Sequence, residues 1–158
     1  MIFKTQLLVL FASANLLLVP FSSKQFYEAL YSDSVTTVDA TLTRLEKEKT
    51  STTNKAYRGG LLMKKSGFLK KAAEKIAVFK EGHQLLEAAI KKYPQNAEYR
   101  FIRLTIQEHA PKILKYNKNI TEDKALIIKE YNELQSTKKS YILDYAKQSE
   151  VLTTADLK

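Results

Sequence analysis

The chain has 158 residues, no cysteine, four glycines, three prolines and a formal net charge of +9. Lack of cysteine excludes disulfide scaffolds, thiolate metal sites, cysteine nucleophiles and an acylated lipoprotein anchor. The shortage of Gly and Pro disfavours a β fold full of tight turns, and the length suits one domain with a core that needs no covalent staple.

Residues 1–23 read as a secretory signal peptide: Lys4, a mostly apolar run from Leu7 to Val19, then Pro20 and two serines. The run is shorter than the roughly 20 apolar residues of a comfortable membrane span, and Ser13 and Asn15 interrupt it. Its cleavage point is open. Ala12-Ser13-Ala14 has suitably small residues but leaves Leu16 to Phe21 on the mature end. Cutting after Ser22 or Ser23 puts Pro20 or Phe21 where a small residue is preferred. A retained leader acting as a membrane anchor is the alternative reading.

Residues 24–158 are expected to form a single helical domain. Phe26, Ala29 and Leu30 make a first apolar patch that stops near Ser32-Asp33-Ser34. Asp33 or Ser34 can cap a helix carrying Val35, Val38, Leu42 and Leu45 at helical steps. Thr50 to Asn54 form a loop, and a third helix starts near Asn54 with Tyr57, Gly60, Leu61 and Lys64 on one side. Gly59-Gly60 inside a helix costs about 1 kcal/mol per residue relative to Ala, so the pair calls for close approach of a neighbouring backbone or of a ligand. Gly67 is expected to end this helix as a left-handed cap.

A long fourth helix over 71–92 carries the stripe Ile76, Phe79, His83, Leu86, Ile90 and Tyr93. Pro94 breaks it. The fifth, over 97–109, has apolar residues pointing in several directions, which marks it as the most buried element, with Arg100, Arg103 and Gln107 on its remaining polar face. Thr121 followed by Glu122 and Asp123 is a helix start with acids suited to the dipole. Leu126, Ile127, Tyr131 and Leu134 then face inward, and a last helix over 137–151 buries Tyr141, Ile142, Tyr145 and Val151 or Leu152. The fold class is therefore all-α: an antiparallel array, tetratricopeptide-like or an irregular bundle, of about five to seven helices behind the leader.

The run from Ala89 to Tyr99, AIKKYPQNAEY, resembles the junction between tetratricopeptide repeats, where a Pro follows one helix and an Asn-Ala pair opens the next. It departs from that pattern in the length of the helix before Pro94 and in having no second copy at the repeat period. The chain as a whole, through YRGGLLMKKSGFLKKAAEK, YPQNAEYRFIRLTIQEHAPKILKYNKNI and YILDYAKQ, resembles small exported proteins of Bacteroidota-type bacteria. That resemblance implies bacterial export and a helical fold and no particular activity.

Charge is unevenly spread. Residues 58–80 carry seven Lys or Arg against the single acid Glu74. Such a cluster either forms a solvated helix face or attracts an acidic partner or anionic lipid. Motifs for catalysis are weak. His83 and Glu87 share the spacing of a metal half-site, but two ligands do not hold a metal, and His83 reads better as a hydrogen-bonded core residue. His109, beside Glu108, reads as a partner of a helix C-terminus. Ser66 lacks the strand-turn-helix setting of a nucleophile elbow. Neither a metal nor a cofactor is expected, and nucleic acid is disfavoured because the aromatics near the basic segment form no stacking platform.

The reading that follows is a non-enzymatic, exported interaction module of the periplasm or cell envelope, binding a protein or another acidic or anionic component. Its site is expected in a groove between the helices at 54–66 and 97–109, with Tyr57, Arg58, Lys64, Lys65, Arg100 and Arg103 as the contacts. Two alternatives stand beside it: membrane-surface association through the basic 58–80 segment, and a metal- or acid/base-dependent enzyme that would need His83 and His109 side by side.

Overall fold

The computed structural model describes residues 20–158, and the expected leader up to Val19 lies outside the described residues. The described part is all-α, with seven α-helices, three short 3-10 turns and no strand. Helix α1 spans Ser23–Tyr31 and opens on a capping box, Ser22 Oγ accepting from the Gln25 amide while the Gln25 side chain accepts from the Ser22 amide. Ser34 caps α2 (Val35–Glu46), which buries Val38, Leu42 and Leu45. Ser51 caps α3 (Thr52–Phe68), so this helix begins two residues before Asn54. It also runs past Gly67. No glycine in the described chain has a positive φ, and the expected left-handed cap is replaced by continued helix to Phe68.

Three residues connect α3 to α4 (Ala72–Lys92), and these two helices share the most extensive contact in the fold. Glycine makes that contact possible. A Cβ on Gly59 would lie 2.7 Å from the Gly82 carbonyl oxygen and 2.8 Å from the Leu86 nitrogen, and one on Gly82 would lie 2.6 Å from the Gly59 oxygen. The neighbouring Gly60 faces α5 instead, where a Cβ would meet the Ile102 side chain at 2.7 Å. The glycine pair thus serves two packing partners at once.

Asn96 caps α5 (Ala97–His109), which is the central element, with Phe101, Ile102 and Leu104 fully buried. Pro111 then leads into a short 3-10 turn over Lys112–Leu114 and on to α6 (Ile120–Glu130). Thr121 does not cap α6; it sits inside the first turn and Asn119 holds the cap position without a side-chain bond. A 3-10 turn over Tyr131–Glu133 precedes α7 (Ser136–Ala146), which is shorter than its sequence pattern suggests, and Leu152 is buried beyond its end. The aromatic core is continuous: Phe26 stacks on Tyr57 at 4.1 Å between centroids, and Tyr27 on Tyr141 at 4.6 Å.

The stripe expected along α4 is covered over only part of its length. Leu86 and Ile90 are buried against the core, whereas Phe79 and His83 are half-buried and Ile76 is 47% exposed. Residues 72–77 at the start of α4 are exposed, and Ile76 and Phe79 border cavities that Leu114 of the 110–119 connection also lines.

Candidate functional site

The six residues expected to form a ligand groove do not meet on one surface. Helices α3 and α5 do touch, but at Gly60 and Ile102 they touch too closely to leave a groove. Tyr57 is buried and donates to Glu98 Oε1 at 2.6 Å, a carboxylate that also accepts from Tyr27 and pairs with Lys138 at 2.7 Å. Burial first, and then the Glu98 charge, push the Tyr27 and Tyr57 hydroxyls far above their ordinary range, so both remain donors. Arg58 pairs with Glu81 at 2.8 Å and Lys65 with Asp39 at 2.7 Å.

Arg100 and Arg103 lie in the interior. Arg103 is only 4% exposed, and Arg100 is buried beside it. Asp123, fully buried, accepts from Arg100 Nη1 at 3.0 Å, Arg103 Nη2 at 2.6 Å, Arg103 Nε at 2.7 Å and Gln107 Nε2 at 3.1 Å. Glu87 adds a bond from Arg103 Nη1 at 2.9 Å, and Glu122 one from Arg100 Nη1 at 2.8 Å. Burial works against the Arg103 charge, but Asp123 and Glu87 outweigh it and hold its pKa above the ordinary value. The polar face of α5 is therefore an internal ion cluster that docks α6.

A groove does open where α3 and α5 diverge. Its floor is Met63, Phe79 and Ile106, and its walls are the start of α4, with Ile76, and the connection carrying Ile113 and Leu114. The cavity measures about 660 Å³, within the range of small-ligand sites. Of the six expected residues, Lys64 alone lines it. Ile113, on the outer wall, is 87% exposed.

Ile76, Phe79 and Leu114 also border a second hollow of about 460 Å³, so the two adjoin. This second hollow is lined by His83, Glu87, Tyr116 and the lysines at 80, 115 and 118. Phe79 and Tyr116 meet edge to face at 5.5 Å, and His83 meets Tyr116 in the same way at 5.0 Å. Tyr116 donates to Glu87 at 2.8 Å, and burial followed by the Glu87 charge keeps its hydroxyl protonated far into the alkaline range. His83 is thus a half-buried wall residue in place of the core histidine expected.

The electrostatics of this groove are one-sided. Lys75, Lys80, Lys115 and Lys118 border it, and among the described residues none of these four is ion-paired. No carboxylate lines the larger cavity, and Glu87, the single acid of the smaller one, is engaged by Arg103 and Tyr116. Lys115 adopts a φ of 49°, a left-handed conformation that is unfavourable for a side chain of this kind, at the turn that brings Tyr116 back onto Glu87.

His83 lines the smaller cavity and His109 the larger, where its Nδ1 lies 2.9 Å from the Thr105 carbonyl oxygen. Among the described residues no group of three or more His, Cys, Asp or Glu side chains is arranged to hold a metal ion. No described helix is long and apolar enough to cross a membrane. The class the structure defines is thus an all-helical protein with an apolar, lysine-rimmed groove. No family model matches the chain, and neither a curated protein nor a solved structure matches it significantly.

Proposed function

We propose that the protein is a non-enzymatic interaction module of the bacterial cell envelope, and that it holds an acidic or anionic partner with an apolar part in the groove beside α4. The observation that carries this reading is an apolar cavity with four lysines that, among the described residues, form no ion pair and face no free carboxylate. Apolar walls supply attraction without direction, and the lysine rim selects the sign of the partner's charge. Export rests on the leader at 1–23 and on the resemblance to small exported bacterial proteins.

The test is fluorescence anisotropy with a labelled amphipathic peptide carrying Glu and Leu at helical spacing. Binding is expected to weaken as salt rises and to weaken at least tenfold in the variant K75E/K80E. An affinity indifferent to both would remove the lysines, and with them this reading.

A second reading has its own support. Ile113 is almost fully exposed, and Ile76 half-exposed, in lysine-rich surroundings, a pattern suited to the interface of an anionic membrane. Flotation with vesicles of anionic and of zwitterionic lipid tests it: co-migration with the anionic vesicles alone supports surface association, and a protein that stays at the bottom with both rules it out.

A further inference from the structure

The two hollows differ in character although they share a border. The larger is walled mainly by Met63, Phe79, Ile106, Ile113 and Leu114, has no acid, and carries Lys64 and Lys75 on its border. The smaller gathers Lys80, Lys115 and Lys118 around the aromatic edges of Phe79 and Tyr116. An elongated molecule lying across Ile76, Phe79 and Leu114 would therefore have one end among hydrocarbon and the other among three ammonium groups. Resting on the function proposed above, we infer that the occupant of this groove is a single-chain anionic amphiphile: one acyl or alkyl chain in the larger cavity and a phosphate or carboxylate head in the smaller.

Three features favour this occupant over an acidic polypeptide. First, three of the five lysines along the track are grouped at one end, with Lys64 and Lys75 on the border of the tail cavity, and a group of three suits one compact head better than charges evenly repeated along a helix. Second, the head site has preset walls: Tyr116 is held by its bond to Glu87, and Glu87 in turn by Arg103, so the turn bearing Lys115 is tied to the core. Third, the only acid there has its charge answered from within the protein, which leaves the lysine charge for a ligand. At the far end, a hollow of about 370 Å³ shares Lys64, Ile106 and His109 with the tail cavity, but Asp33 lies 4.0 Å from Lys64 there, so it is the poorer place for an anion.

The full chain without its leader would be titrated calorimetrically with decyl, dodecyl and tetradecyl phosphate, each below its micelle concentration. Saturable one-to-one binding is expected, tightening by roughly fourfold per methylene until the cavity is filled. Dodecyltrimethylammonium, with the same chain and the opposite charge, is expected to bind at least tenfold more weakly. The double variant K80E/K118E should lose affinity for dodecyl phosphate at least tenfold while leaving that for neutral dodecyl maltoside within about twofold. Gly67→Trp should block every chain: a side chain at Gly67 meets nothing within 4 Å and projects at the border of the tail cavity. Circular dichroism melts of each variant separate lost binding from lost folding, and the lysine pair remains a test of the site if the tryptophan variant does not fold.

Affinity independent of chain length, equal affinity for the cationic chain, or undiminished binding by folded G67W would each overturn the inference. If the acidic peptide binds through the lysines and dodecyl phosphate neither binds nor displaces it, the amphiphile is wrong and the interaction module stands. If neither probe binds, both fall. Free fatty-acyl anions and phosphorylated chains present the same chemistry, and comparison of dodecanoate with dodecyl phosphate tells which head is preferred.

Discussion

Asp123 carries four hydrogen bonds from Arg100, Arg103 and Gln107 and has no exposure to water. Removing its carboxylate leaves two buried guanidinium groups with only Glu87 and Glu122 as acids, so Asp123→Ala is expected to destabilise by about 3–5 kcal/mol, read from urea unfolding. Leu at the same position should be no better, because both arginines would remain. Glu108 is a second carboxylate with internal partners: burial pushes it up, but donation from Tyr145, Ser149 and the Glu150 amide, with His109 nearby, holds it below its ordinary 4.5. Asp156 is held near 2, against an ordinary 3.8, by Lys124 and by the Thr153 amide and hydroxyl. Both folded values are depressed, so both groups favour the folded state above their unfolded pKa, and that contribution is lost as acid titrates them. Thermal midpoints should therefore start to fall below about pH 4.5 and keep falling toward pH 2, with a shallower acid limb in Glu108→Gln. These residues show how unevenly chemistry can be read from sequence. Arg100, Arg103 and Gln107 are visible as a polar face, but whether that face meets water or an acid depends on where a helix twenty residues later is placed. The available signal was Asp123 itself, an acid in the first turn of a helix whose other early acid, Glu122, is exposed.

Among the helices, spacing and caps locate most elements, and the errors have local causes. Ser34 and Asn96 cap where the pattern puts a start, and α4 ends before Pro94. Gly67, by contrast, looks like a stop signal because glycine often ends helices, yet α3 continues one residue past it and the chain leaves through extended Leu69. The four glycines are consequently not equivalent. Gly67→Ala places a methyl in open space on helical backbone and should stabilise by up to about 1 kcal/mol in thermal melts. Gly59→Ala and Gly82→Ala drive a methyl into backbone atoms closer than 3 Å and should each cost about 1–3 kcal/mol. A neutral effect at Gly59 or Gly82 would mean that α3 and α4 can separate without penalty. Periodicity likewise revealed the apolar stripe of α4 in full but not which half of it lacks a cover. Period reports the face of a helix; coverage depends on how far its neighbours extend.

Over the whole molecule, charge and packing are segregated. Among the described residues Lys75, Lys80, Lys115 and Lys118 form no ion pair, while other lysines are held in pairs such as Lys138–Glu98 and Lys124–Asp156. Salt should then act on binding and on folding in opposite senses. At an ionic strength of about 0.15 M the screening length is roughly 8 Å, which weakens attraction of an external anion and also relieves repulsion among the lysines. An anionic probe is expected to bind less tightly as salt rises while the thermal midpoint stays level or climbs; a parallel loss of both would place the dominant charges in the internal pairs. The glycine crossing has a further consequence for motion. Backbone lies against backbone at Gly59 and Gly82, whereas residues 72–77 at the start of α4 are exposed. Amide protons next to the crossing should exchange with deuterium most slowly, and those of Ala72 to Ile76 many times faster. An occupant of the groove would slow the latter set selectively, so exchange along this one hairpin records both the crossing and the occupancy of the groove.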